Sequence, residues 1–526
     1  MNSHLQMKRE QFMVQIRKQA REEIFSKKRH TSIIQDGDVL QKCNPDETIN
    51  FIYQTYLEQD FKHLAKLLKQ YNMNYLKLLE EDNLNDQVVL NQFINHFSSA
   101  NMNGLKLFFD IIRMSDIPIE FNLTSDRLMC INHVLVILIN ITYLDRKDIV
   151  ENLLQNDLIN ILLKDLIDRM VQPEKIQIHF DRWCEILESI CLILINIQFE
   201  LDNRNVLLFR EEILRSQLFR VWSKFYPKNP ITKTWKAILL LECKLFESNE
   251  INLIDIPHYN FNCIISQCTF LIDKVQMEDE SLYKRVLEIL QKLSEFKITI
   301  ALTLTLTKFV WEKILKLNLF PSKFFSIFTN FLAEKDDDHY ILQYLIDIGL
   351  IESMVNSLQN QGDELIIEKI FKCFNNILYY PHAFIVERTI TVFLPFLHNY
   401  LNQYSIIKQE ICIEYLYLLQ NLMNHQQLSD YHLNEIFINL DCLQYISDML
   451  LSCIYLTKLI AELFTYFQKL PPQFKLVILQ KVDTYDFVEI LNNQATILKN
   501  KDDGSINLIL NLIQLWEQSD FEFNIA

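Results

Sequence analysis

Glycine is nearly missing from this chain: there are five in 526 residues, at positions 37, 104, 349, 362 and 504. Glycine supplies the positive φ of tight turns and lets backbone amides approach a phosphate closely. No two of the five stand closer than thirteen positions. A phosphate loop, a dinucleotide fingerprint, a kinase glycine-rich loop and a nucleophile elbow are all excluded. With only 11 prolines as well, the chain has too little turn chemistry for a sheet protein of this length. An all-α fold remains.

Long apolar runs are also lacking. Apolar residues make up 49% of the chain, but runs such as Val134 to Ile139 and Ile190 to Ile195 stop at Asn140 and Asn196. They fall short of the ~20 residues a membrane helix needs, so no membrane is expected. The 11 cysteines are scattered through apolar segments without a C-x-x-C pair or a secretory signal. They are expected to be buried thiols in a reducing compartment, cytosol or nucleus. The 12 histidines form no H-E-x-x-H and no ligand spacing with cysteine. No catalytic residue, metal or cofactor is therefore expected.

Charge is plentiful but unevenly placed. The formal net charge is −16, yet residues 1–30 carry eight Lys/Arg against three Glu, so that segment is +5 and the rest of the chain −21. A basic arm on an acidic body either folds back or offers itself to an acidic partner. The acidity of the body argues against nucleic acid. Residues 31–48, with Gly37, Pro45 and no helical period, read as a linker. The body is expected to run from 49 to 526.

In the body one phrase recurs: a short apolar run, often with Asn near its end, followed by a polar break. It appears as VLVILINITY, ICLILINIQF, AILLLECKLF, VLEILQKLSEF, FSIFTNFLAE, IFKCFNNILYY, EYLYLLQNLMNH, IAELFTYFQKL and LILNLIQLWEQ. A weaker copy, VVLNQFINHF, and a first helix over 49–64 bring the count to about ten. The spacing of roughly 40 to 55 residues is that of two- or three-helix repeats. One unit divides clearly, into a helix over 339–346, a turn at Asp347, Ile348 and Gly349, a helix over 350–358, a turn at 361–363, and a helix over 365–378. In the last helix Ile366, Ile370, Cys373 and Ile377 share one face. This DIGLIESMVNSL…EKIFKCFNNI phrase resembles the armadillo repeat. The expected fold is a right-handed superhelical solenoid of about ten degenerate armadillo repeats, preceded by a basic amphipathic helix.

The arm, KREQFMVQIRKQAREEIFSKKRH, spans Lys8 to His30. Phe12, Ile16, Ala20 and Ile24 follow at i+4, and Arg17, Arg21 and Lys28 line an adjacent face. Such a helix suits a membrane surface, calmodulin or an organelle signal, the last opposed by Glu10, Glu22 and Glu23. Its register is more specific. The basic pair, V-Q-I-R-K-Q, R-E-E and the closing K-K-R resemble, without a gap, the importin-beta-binding domain of the importin-alpha family, in which an arm precedes about ten armadillo repeats.

The resemblance implies a nuclear import adaptor that shuttles between cytoplasm and nucleus. Lys8, Arg9, Arg17, Lys18, Arg21, Lys27, Lys28 and Arg29 would bind importin-beta. Lys27, Lys28 and Arg29 would also occupy the adaptor's own groove as an autoinhibitory segment. A protein cargo with a basic or atypical nuclear localisation signal would lie in the concave groove, and an export receptor would take the acidic C-terminal repeat around Trp516 to Phe523. In that family third helices carry Trp-x-x-x-Asn, where Asn pins a peptide backbone and Trp one turn earlier packs lysine stems. The matching positions here are Asn140, Asn196, Asn330, Asn376 and Asn421. One turn earlier stand Val136, Leu192, Ser326, Lys372 and Tyr417.

Only Tyr417 offers an aromatic face, and each missing slot removes ~0.5–2 kcal/mol of cation–π support. Lys372 would repel a basic peptide. An Asn closing an apolar helix also reads simply as a helix-end residue. Acidic runs at Glu80 to Asp82, Glu278 to Glu280 and Asp336 to Asp338 could gather basic partners or be solvated loop ends. A reading from another class also fits the degenerate repeats: a scaffold protein whose arm docks on some other acidic assembly.

Overall fold

The computed structural model describes residues 45–80, 91–97, 103–113, 123–144, 146–170, 179–225, 232–247, 256–274, 280–333, 339–360, 363–380, 383–403, 409–425, 428–452, 456–498 and 503–523. Every regular element among them is a helix. The chain divides into two compact units at Lys244/Leu245. In each, one long helix per repeat stacks on the long helix of the next.

In the first unit these are α1 (Phe61–Glu80), α2 (Ser125–Thr142) and α3 (Phe180–Glu200); α2 packs on both α1 and α3. In the second they are α4 (Glu280–Ser294), α5 (Pro321–Ala333), α6 (Glu364–Ile377), α7 (Gln409–Met423), α8 (Thr457–Phe467) and α9 (Asp503–Phe523), each packed on its successor except that α8 passes directly to α9 across the pair Pro472–Thr484 and Phe487–Leu498. Eight of the nine recurring phrases are α2 to α9, and the ninth, AILLLECKLF, falls in the helix Thr232–Leu245. Their cores come from i, i+3, i+4 spacing, as in α6, where Ile366, Ile370, Cys373 and Ile377 are all buried.

The unit that was legible in sequence folds as His339–Asp347, Leu350–Asn360 and Glu364–Ile377. Gly349 has φ +94°, a region that L side chains rarely enter, and it makes the sharp bend between the first two helices. Asp363 caps the third by accepting from the Leu365 amide at 2.9 Å.

Two expectations shift. Helix begins at Pro45, inside the stretch read as a linker, because Pro at the first turn and Asp46 and Glu47 behind it suit a helix N-terminus. The helix expected over 49–64 is two helices, Pro45–Leu57 and α1. Gln59 turns at φ +59°, and the Asp60 carboxylate accepts from the His63 amide at 3.1 Å to start α1. Of the VVLNQFINHF phrase, residues 91–95 are helical and 88–90 lie outside the described residues. The long helix of the first repeat is therefore α1.

The helix α2 has the length and hydropathy of a membrane span, but it is packed between α1 and α3 and carries Asp126, Arg127, Asn132, His133 and Asn140. Of the nine described cysteines eight are buried. Burial pushes the Cys130, Cys184 and Cys442 thiols up to about 12, so they stay protonated and pack as small apolar groups.

Candidate functional site

The expected basic arm residues, Lys8, Arg9, Arg17, Lys18, Arg21, Lys27, Lys28 and Arg29, lie outside the described residues, as do Asp336 to Asp338. The expected groove residues are all described, and they share a geometry that composition could not reveal.

Each of the five asparagines reaches back to the long helix of the preceding repeat. In the first unit, Asn140 Nδ2 on α2 donates to Asn72 Oδ1 on α1 at 2.8 Å. Asn196 Nδ2 on α3 donates to the Ile139 carbonyl at 3.2 Å and to Thr142 Oγ1 at 3.1 Å, both on α2. In the second unit, Asn330 on α5 donates to Ser294 Oγ on α4 at 2.8 Å. Asn376 on α6 donates to the Thr329 carbonyl on α5 at 2.9 Å, and Asn421 on α7 to the Asn375 carbonyl on α6 at 3.2 Å.

These side chains are inter-repeat ties, a role neither of the two sequence readings contained. Each satisfies a polar group of the preceding long helix, near that helix's end in every case but Asn72, and fixes how far one repeat slides on the next. Asn140, Asn330, Asn376 and Asn421 remain half-buried at the surface, whereas Asn196 is 0% exposed. Asn196 is a core residue, and the expectation that it faces a bound peptide is corrected: α3 is buried without a break from Ser189 to Gln198.

The positions one turn before each Asn differ in exposure within each unit. Val136 is half-buried and Leu192 is 2% exposed. Ser326 is buried, its hydroxyl donating to the Ser322 carbonyl at 2.8 Å within its own helix. Lys372 and Tyr417 stand at the surface, Tyr417 at 40% exposure. The five tryptophans, Trp183, Trp222, Trp235, Trp311 and Trp516, are all buried. They serve packing: Trp222 meets Trp235 edge-on at 4.9 Å, Trp311 sits against Phe328 and Phe331, and Trp516 of α9 stacks on Phe464 of α8 at 5.9 Å.

Sequence reading missed the polar cluster joining α6 and α7. Lys372 Nζ donates to Glu368 Oε1 at 2.6 Å, one turn back on α6. Asn375 Nδ2 donates to both the side chain (2.9 Å) and the main chain (3.1 Å) of Glu414 on α7. Glu414 is buried, and burial raises its pKa against the opposing pull of the Asn375 hydrogen bond and the Lys372 charge. In the preceding repeat a Lys–Glu pair joins two helices instead: Lys323 of α5 reaches Glu288 of α4 at 3.0 Å. The i, i+4 spacing of Glu368 and Lys372 was a visible signal; the partnership with α7 was not.

Residues 2–87 match the family described as the importin beta binding domain. The match takes in the basic arm and extends through Pro45–Leu57 and α1. No curated protein matches the chain in sequence. Among solved structures, the chain is similar to an engineered protein at 13% identity, covering 80% of this chain and 98% of that one with a TM-score of 0.55. It is also similar to SYS-1 at 12% identity, covering 90% of this chain and 85% of that one with a TM-score of 0.54. At these identities the likeness concerns the fold, an all-helical solenoid of the armadillo type.

Proposed function

We propose that this chain is a nuclear import adaptor, in which the basic N-terminal segment binds importin-beta and the face formed by the long helices holds a protein cargo. The observation that carries the reading is order along the chain: an importin-beta-binding match over residues 2–87, followed by an armadillo-type solenoid. The eight basic residues of the arm against an acidic surface of importin-beta make a multi-site, salt-sensitive interface. Traffic between cytoplasm and nucleus, with an export receptor acting at the C-terminal repeat, belongs to the same reading. So does autoinhibition, in which Lys27, Lys28 and Arg29 compete with cargo at the millimolar effective concentration a short linker confers.

Binding of the full chain to importin-beta, titrated at several salt concentrations, tests the reading. Arg17→Glu with Arg21→Glu is expected to weaken binding by more than about a hundredfold, since each lost charge-assisted contact is worth about 1.5–3 kcal/mol. A wild-type chain that does not bind importin-beta at physiological salt refutes the adaptor. For autoinhibition, Ala at Lys27, Lys28 and Arg29 is expected to raise the affinity for cargo.

A further inference from the structure

The first described helix, Pro45–Leu57, packs on one side only. Pro45, Thr48, Ile49, Ile52 and Thr55 are buried, and the helix rests on α1 and on the helix Asn103–Arg113. Its other side shows two adjacent stripes at helical spacing, Asp46, Asn50, Tyr53 and Leu57 beside Glu47, Phe51, Gln54 and Glu58, all exposed. Phe51 is 63%, Tyr53 49% and Leu57 58% exposed. Among the described residues of the first unit Leu208 is the one other large apolar side chain so exposed, so these three form a patch rather than scatter. The first helix of a solenoid has no preceding repeat to cover it, and such a face is ordinarily polar. Charge indicates what covers this one. The exposed side and the turn after it carry Asp46, Glu47, Glu58 and Asp60 and no Lys or Arg; the lysines that follow, Lys62, Lys66 and Lys69, belong to the exposed stripe of α1. Asp46 Oδ1 lies 2.8 Å from His96 Nε2 and Asp60 caps α1, whereas Glu47 and Glu58 share the stripe of Phe51.

We propose that this side of Pro45–Leu57 is the docking site of the chain's own N-terminal arm: Phe12, Ile16, Ala20 and Ile24 cover Phe51, Tyr53 and Leu57, and Arg17 and Arg21 lie along Glu47 and Glu58. Length, charge and connection agree. The apolar stripe of the arm runs thirteen residues, from Phe12 to Ile24, and Pro45–Leu57 is also 13 residues, about 20 Å as a helix. The +5 of residues 1–30 meets a wall with carboxylates and no cation of its own. Fourteen residues, 31–44, join the two. They can span up to about 45–50 Å, enough for the arm to lie in either direction, and so short a connection gives a millimolar effective concentration. The contact uses the apolar side of the arm and leaves Lys27, Lys28 and Arg29 outside it, so their competition for the long-helix face is unaffected. A docked arm is withheld from importin-beta; that consequence rests on the adaptor reading, and the docking itself does not.

Brief trypsin treatment of the full chain, with cleavage after Arg21 followed by mass spectrometry, tests this, because cleavage of a docked segment tracks the fraction that is open. Tyr53→Gln combined with Leu57→Gln is expected to speed that cleavage about tenfold. Phe12→Gln, which changes no residue of the body, should speed it similarly. Equal rates in the wild-type chain and the Phe12→Gln variant overturn the proposal. Protection that grows with chain concentration assigns the patch to a second copy and overturns it too. Importin-beta gives a separate reading: the Tyr53→Gln, Leu57→Gln chain should bind it about tenfold more tightly, since affinity scales with the fraction of free arm. A chain protected at Arg21 that does not bind importin-beta keeps the docked arm and refutes the adaptor instead.

Discussion

The two units use the same tie, but the residue one turn before it is covered at Leu192 of the first and open at Tyr417 of the second. In the first, α2 and α3 are joined through Asn196, and the residue one turn before it, Leu192, is 2% exposed. In the second, α6 and α7 are joined through Asn421, but the residue one turn before it, Tyr417, is 40% exposed and lies one turn along α7 from the Lys372–Glu368–Glu414 cluster. At all five positions the Asn near the end of a long helix ties it to the long helix before it. Whether a surface exists beside it depends on how much the neighbouring helices cover.

The pair Leu192 and Tyr417 gives the sharpest way to break that comparison. Leu192→Ala removes a fully packed side chain and is expected to destabilise by about 3 kcal/mol in a urea melt, while Tyr417→Ala should change stability by no more than about 0.5 kcal/mol and alter only partner binding. Similar losses at both positions would mean that the two faces are equally covered.

Acid should act on both units. Burial, slightly opposed by Asp441, pulls His398 down to about 4; burial first, then Lys69 and Arg182, brings His133 of α2 to about 4 as well. A folded-state pKa below the unfolded one means that the unfolded chain takes up its proton first. Stability is therefore full above about pH 6.5 and is lost as pH falls towards 4, by up to about 3 kcal/mol for the buried His398. Urea midpoints measured between pH 7 and pH 4 check this, and His398→Asn should flatten the second unit's share of the slope.

Smaller effects separate the ties themselves. Asn196→Ala leaves a fully buried hole and two groups of α2 without their donor, and should cost about 2 kcal/mol, against about 1 kcal/mol for the half-buried Asn421→Ala. Gly349→Ala should cost about 1 kcal/mol, through its φ of +94° alone. The nearest atom to an added Cβ there is Glu352 Oε2 at 3.8 Å, so a larger loss would show that the bend has moved.

Much of this architecture could be read in advance because the signals are local. The apolar phrases mark the long helices, since a helix facing a core needs apolar residues at i, i+3 and i+4. Asp347-Ile348-Gly349 marks a bend because only glycine enters that φ without strain. The start at Pro45 was read as linker because Pro and Asp serve both a turn and a helix N-terminus. The asparagines were legible as special positions, but their partners, 36 to 68 residues away, were not. The side chain that finds Asn196 is chosen by the packing of α2 on α3, and nothing in the segment around 196 names Ile139 or Thr142.

The sequence by itself determined an all-helical repeat chain with a +5 arm on a −21 body, because scarcity of glycine, the 3.6-residue period and charge counts are properties of the chain alone. Tertiary structure decided which residues face a partner. Burial and hydrogen bonding across helices are relations between segments: they turned Asn196 inwards, left Tyr417 exposed, and joined Asn375 of α6 to Glu414 of α7.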